Sequence, residues 1–233
     1  MSETDTKRIP LTRIQKLIGN RMLESKQTQP CFYMTATADV GKIAEMRRPM
    51  SKQLGVRISM NDFIIRAMAM AIEQYPMMSG IFRDDHIEVT ETANIGLAVA
   101  APKGLVVPVI KNANKKSLMD IARASAELIE KAKNNKLSLD ELSGACITLT
   151  ALGMFGIDSF LAIPSPGQCS ILSIGKITER PIVCQNNIEI KKIIEFGLAA
   201  DNRIVSEDYA AKFLIEITNL VANPDNPRYI ERK

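Results

Sequence analysis

The side chains equipped for proton or thiol chemistry are few and widely spaced in this chain of 233 residues: one histidine, His86, and four cysteines, Cys31, Cys146, Cys169 and Cys184. The cysteines form no CxxC pair, which argues against a metal knuckle, a dithiol motif or a disulfide scaffold and fits a reducing cytoplasm. His86 lies in RDDHIEV, beside Asp84 and Asp85, where an exposed residue of a short hairpin is the ordinary reading. With no histidine partner nearby in sequence, Cys31, Cys146 and Cys169 read as buried structural thiols rather than nucleophiles. The stretch ADNRIVSED places Asp201, Asn202, Arg203 and Ser206 together near the end of the chain. Its amide and its hydroxyl can hydrogen-bond, but an amide cannot take a proton and a serine does not supply a carboxylate's charge.

The elements that must position these groups are an alternation of helices and strands. Thr12 can cap a helix through RIQKLIGNRMLESKQT, with Ile14, Leu17, Ile18 and Met22 on one face that has to pack on something. FYMTATADV reads as a strand, and GKIAEMRRPMSKQLG as a helix disturbed or offset by Pro49. Ser59 with Asp62 resembles a capping box opening a core helix, MNDFIIRAMAMAIEQY. GIFRDDHIEVT has the form of a hairpin, and ANIGLAVAA and GLVVPVI read as two central strands. Ser117 with Asp120 caps an amphipathic helix whose stripe is Leu118, Ile121, Ala122, Leu128 and Ile129, with Ser125 on the same face. Strands resume at ACITLT, QCSILSIGKI and KKIIEFGLAA, and a last helix runs from about Glu207 to Val221, with Ser206 suited to its N-cap. The sum is an α/β protein, a two-layer sandwich of a mixed sheet with helices packed on it, in one domain.

Composition narrows the function classes. The hydrophobic content of 46% supplies a sizeable core, and a net charge of +4 from 30 basic and 26 acidic residues is mild. No dense Lys/Arg block with interleaved aromatics occurs, so nucleic acid is not an expected partner. No apolar run approaches the roughly 18 residues of a membrane span, so no membrane partner is expected either. Met68, Met70, Met77 and Met78 read as adaptable core or subunit-contact side chains.

Four segments together resemble the catalytic domain of the dihydrolipoyl acyltransferase component of 2-oxo acid dehydrogenase complexes, a coenzyme A-dependent acyltransferase fold shared with chloramphenicol acetyltransferase. They are IPLTRIQKLIGNRMLESKQTQPCFYMT, SMNDFIIRAMAMAI, NIGLAVAAPKGLVVPVIKNANKKSLMDIA and TLTALGMFGIDSFLAIPSPGQCSILSIG, and the resemblance spans about residues 8 to 224. In that family the closing motif reads Asp-His-Arg, two apolar residues, Asp-Gly. The histidine takes the proton of a coenzyme A or dihydrolipoamide thiol, and the second aspartate fixes the loop around it. Here Asp201 and Arg203 match. Asn202 stands at the histidine position, Ser206 at the aspartate position and Glu207 at the glycine position. The family's oxyanion hydroxyl is matched by Thr150 in TLTALG.

The resemblance therefore implies a fold kept without its base. A thiol of pKa about 8.5 is only a few per cent ionised at neutral pH, and a positioned base contributes about 100- to 10,000-fold in rate. The leading expectation is a catalytically inactive homologue acting as a trimeric structural, organising or ligand-binding protein. The alternatives are an active acyltransferase in which substrate or water assists deprotonation, and a non-catalytic partner of a true acyltransferase in mixed trimers. Lys115, Lys116 and Ser117 match the segment that contributes to the coenzyme side and are candidate phosphate contacts. Coenzyme A is the one cofactor implied, and no metal is. Residues 1–8 are assigned to a polar leader, 9–224 to the acyltransferase-like domain and 225–233 to a charged tail, with no lipoyl or peripheral-subunit-binding domain. The charged ending points to a homotrimer without a large hollow core, serving a 2-oxo acid dehydrogenase complex or a catalytic paralogue.

Overall fold

The structure is a computed structural model that describes residues 7–102 and 104–229. It contains five α-helices: α1 (Arg13–Thr28), α2 (Gly41–Leu54), α3 (Met60–Gln74), α4 (Leu118–Lys133) and α5 (Glu207–Ala222). Its strands are β1 (Cys31–Asp39), β2 (Ile81–Phe82), β3 (Ile87–Glu88), β4 (Ile95–Leu97), β5 (Val99–Ala101), β6 (Gly104–Val106), β7 (Val109–Ile110), β8 (Ile147–Ala151), β9 (Ser170–Ile174), β10 (Thr178–Cys184) and β11 (Asn187–Asp201). The main sheet runs β1-β11-β9-β8-β4-β7, with β10 paired to β11 off that path. It is mixed: β4, β8 and β9 are mutually parallel neighbours and the remaining pairs are antiparallel.

Capping chemistry fixes where three helices begin. Thr12, Ser59 and Ser117 each accept from the backbone N–H three residues on, and Gln15, Asp62 and Asp120 return the bond. α3 is the centre of the helical layer, packed between α4 and α5 with α2 beside it. It is buried continuously from Asp62 to Ile72. Its two charged members are partnered: Asp62 accepts from the Ser125 hydroxyl of α4, and the Arg66 guanidinium donates to the carbonyls of Asn114 and Arg228. α4 buries the stripe expected of it, Ile129 only in part.

Several expectations are modified. α2, expected to be disturbed or offset by Pro49, runs from Gly41 to Leu54 with the proline inside it, and ends at Gly55 in the left-handed conformation (φ 64). The two runs read as central strands are each divided. β4 is central, β7 is the edge of the sheet, and β5 with β6 forms a separate hairpin. β11 is longer than its apolar run: its second half lies between β1 and β9, while its first half pairs only with β10 in an arm beyond the sheet. The apolar face of α1 finds little cover within the chain. Only Ser25 is buried, Leu17 is 59% exposed, and Ile14 and Ile18 stand over Gly104 at the tip of the β5–β6 hairpin.

Residues 225–229, assigned to a tail, belong to the packed unit. Tyr229 is fully buried with its ring 5.6 Å from that of Phe63. Arg228 pairs with Glu73 at 2.6 Å while its carbonyl accepts from Arg66. The rest of that tail, like most of the leader, lies outside the described residues.

Candidate functional site

The turn that ends β11 is organised around one buried carboxylate. Asp201 is the last residue of the strand and is fully buried; its N–H donates to the Cys169 carbonyl. Its side chain receives the Arg203 guanidinium through Nε at 3.0 Å and Nη2 at 2.6 Å, and the Arg203 backbone N–H at 3.0 Å. The other face of Arg203 lies on the Phe82 ring, 4.2 Å from its centroid. Hydrogen bonds to Asp201 hold the Arg203 pKa above its ordinary value. A two-pronged pair of this kind, closed by a ring, fixes the path of the turn.

That turn presents Asn202 outward. Its backbone N–H donates to the Pro30 carbonyl, and its side-chain Nδ2 donates to Glu207 Oε1 at 3.0 Å. Ser206 occupies the N-cap position of α5, as its type suggests, but its hydroxyl does not cap the backbone: it donates to Asp208 Oδ1 at 2.6 Å. Asp208 also holds Lys212. Neither Asn202 nor Ser206 is a base, and the bond between Asn202 and Glu207 was not legible from spacing, although the replacement of the motif's glycine by a carboxylate was.

Neither the cysteines nor the histidine supplies one. Burial first, and the Asp201 charge second, push the Cys31 thiol up. Burial likewise raises Cys169, and raises Cys146 to about 11, with the Cys146 thiol bonded to the Asn94 carbonyl. Cys146 and Cys169 are interior thiols, whereas Cys31, expected to be buried, is only half-buried at the start of β1; a raised pKa is the state opposite to an activated nucleophile in all three. The β2–β3 hairpin does lean on the motif through Phe82, yet His86 is exposed, with Nδ1 2.6 Å from Asp85 and Nε2 3.8 Å from Glu88. Among the described residues no group of three His, Cys, Asp or Glu side chains is arranged to hold a metal ion.

Thr150 lies at the other end of the sheet. It is half-buried near the end of β8, level with Ser173 on β9 and Gly197 on β11. The loop after it is tightly placed: a Cβ on Gly175 would lie 1.7 Å from the Asp158 carbonyl oxygen, and one on Gly153 2.4 Å from the Gly175 oxygen. Asp201 is four residues further along β11 from Gly197 and two strands away from Thr150. Ordinary strand spacings put the two roughly 16 Å apart. The sequence-predicted site residues are thus divided within one chain, Asn202 and Ser206 at one end and Thr150 at the other.

The candidate phosphate contacts form a third locality. Lys115 and Lys116 line an open depression of about 390 Å³ with Arg123, Asp120 and Glu127. Three cations against two carboxylates leave a small positive balance, so the lysines and Arg123 suit a phosphate and the carboxylates oppose it. Ser117 is engaged in the cap of α4, where its hydroxyl and N–H are both bonded to Asp120.

The family described as 2-oxoacid dehydrogenases acyltransferase (catalytic domain) matches residues 3–227. The chain is 38% identical over 220 residues to the dihydrolipoyllysine-residue acetyltransferase component of the pyruvate dehydrogenase complex of Rickettsia felis, covering 93% of this chain and 53% of that protein. It is 34% identical over 226 residues to the mitochondrial pyruvate dehydrogenase protein X component of Mus musculus, covering 94% of this chain and 44% of that protein. The chain thus spans about half the length of the curated relatives it matches. Its fold superposes with a TM-score of 0.90 on Azotobacter vinelandii dihydrolipoamide acetyltransferase, at 26% identity over 96% of this chain and 97% of the other. That structure comes from work on the role of a serine, a histidine and an asparagine in the catalytic mechanism. A chloramphenicol acetyltransferase shares the fold at a TM-score of 0.53 and 12% identity.

Proposed function

Because the chain belongs to the 2-oxoacid dehydrogenase acyltransferase catalytic-domain family, we propose that it is a member without acyl-transfer activity of its own, kept for organising a 2-oxo acid dehydrogenase assembly. One observation carries this reading: an amide occupies position 202, and the only histidine of the chain sits on an exposed hairpin between two carboxylates. The likeness to a protein X component of a pyruvate dehydrogenase complex supports a role inside such a complex. Measuring acetyl transfer between acetyl-coenzyme A and dihydrolipoamide tests it directly. Turnover is expected at the uncatalysed level, and a rate like that of an ordinary acyltransferase of this family overturns the reading.

The organising role involves several copies. Any site that uses both Thr150 and the Asp201 turn has to be completed by a second chain, because one chain holds them roughly 16 Å apart. The exposed apolar face of α1 gives the chain surface to bury in such an assembly. We assign it to a trimer, formed with itself or with a catalytic paralogue. Native mass measurement after co-expression with such a paralogue distinguishes the two compositions, and a monomer under all conditions removes both. Coenzyme A binding, through Lys115 and Lys116, is assayed separately by calorimetry on the unaltered protein.

A further inference from the structure

Glu207 stands where the family motif has glycine, and among the described residues it holds the carboxylate that is bonded to the side chain of residue 202. It is the first residue of α5, so the helix fixes its backbone. The neighbouring groups are committed elsewhere: the Ser206 hydroxyl donates to Asp208, and Asp208 takes Lys212 as well. The bond to Glu207 also sets which way the amide of Asn202 faces. Nitrogen turns to the carboxylate, and the oxygen faces away as a fixed acceptor.

An asparagine carboxamide has the shape of the inner half of an imidazole. Its Nδ2 and Oδ1 branch from Cγ as Nδ1 and Cδ2 do in histidine. An imidazole at position 202 in the same rotamer would place Nδ1–H where Nδ2 now lies, 3.0 Å from Glu207 Oε1. Nε2 would then remain free, further from the backbone, to accept a proton. A carboxylate in that relation selects the tautomer and orientation a general base needs, and stabilises the imidazolium once it forms.

We infer that Glu207 is the positioning residue for side chain 202, holding that side chain directly where the family motif relies on position 206 to fix the loop around it. The protein then lacks one group, the base, rather than two. This rests on the reading of the site as an acyltransferase site without its base.

The test introduces Asn202→His alone, with Glu207→Gln, with Glu207→Asp and with Ser206→Asp. Proton NMR titration follows the introduced imidazole, with His86 as the internal reference. Its pKa is expected to fall by about half a unit or more when Glu207→Gln removes the neighbouring charge, and to recover in part with Glu207→Asp. Acyl transfer is measured on the same set. The introduced Nε2 takes the thiol proton as sulfur attacks the acyl carbonyl carbon, and returns it to the departing sulfur. Asn202→His alone is expected to give turnover, Glu207→Gln to lower kcat at least about tenfold with KM unchanged, and Ser206→Asp to add nothing. An imidazole pKa indifferent to Glu207, or a kcat that follows Ser206→Asp and ignores Glu207, overturns the assignment. If the pKa responds to Glu207 and no variant transfers acyl groups, the role of Glu207 stands and the reading of the site as complete except for its base falls.

Discussion

The inner and outer halves of the turn after β11 differ in kind. Asp201 is fully buried, Arg203 is clamped between it and Phe82, and both match the acyltransferase motif. Asn202, Ser206 and Glu207 are exposed, and all three depart from it. The Thr150 end of the sheet resembles the inner half: a half-buried hydroxyl on a strand, backed by a loop too tight to admit a Cβ at Gly175. Removing a group bound into the packing costs stability, whereas removing an exposed one costs little. The shape of the turn therefore rests on its inner half.

This contrast can be broken by four measurements. Asp201→Ala leaves Arg203 against Phe82 without its carboxylate and the strand end without its organiser. We expect a loss of about 4 kcal/mol in denaturant unfolding, and less than about 1 kcal/mol would show that the inner half is not held by packing. Gly175→Ala drives a methyl into the Asp158 carbonyl and should cost about 3 kcal/mol by the same assay. The interior thiols give a pH signature. The Cys146 pKa is about 11 in the fold against an ordinary 9.0, so above pH 9 the unfolded chain gives up its proton first. Stability should fall between pH 9 and 11 by on the order of 2 kcal/mol from this group, and Cys146→Ala should flatten the slope. Smallest are Asn202→Ala and Ser206→Ala, each expected within about 0.5 kcal/mol of the parent. A larger loss from either would give the outer half a structural task.

Much of the fold was legible because its signals are local. The capping boxes at Thr12, Ser59 and Ser117 mark helix starts by residue type and spacing, and the stripe of α4 follows from a 3.6-residue period. β10 was not legible. Pro181 argues against a strand, and the hairpin turn is made by Gln185 and Asn186, both at positive φ, without the glycine that usually marks such a turn. The runs around β4 and β7 looked like whole strands because apolar composition does not reveal where a chain leaves one sheet for another hairpin. At the candidate site the departures of 202 and 206 from the acyltransferase motif were plain from residue type. The bond from Asn202 to Glu207, the diversion of the Ser206 hydroxyl to Asp208 and the separation of Thr150 from the turn depend on rotamers and sheet register, which a linear pattern does not carry.

The β10–β11 arm carries Val183, Ile188 and Ile190 almost bare, each 75% exposed, and the far edge of β10 pairs with no other strand among the described residues. A naked apolar ribbon of this kind invites another ribbon to lie alongside and continue the sheet from molecule to molecule. Pro181 sits in the middle of that edge, without an N–H to donate, and breaks the ladder that a newcomer would need. The proline that disguises β10 in the sequence thus leaves the outer edge of the arm short of one ladder donor.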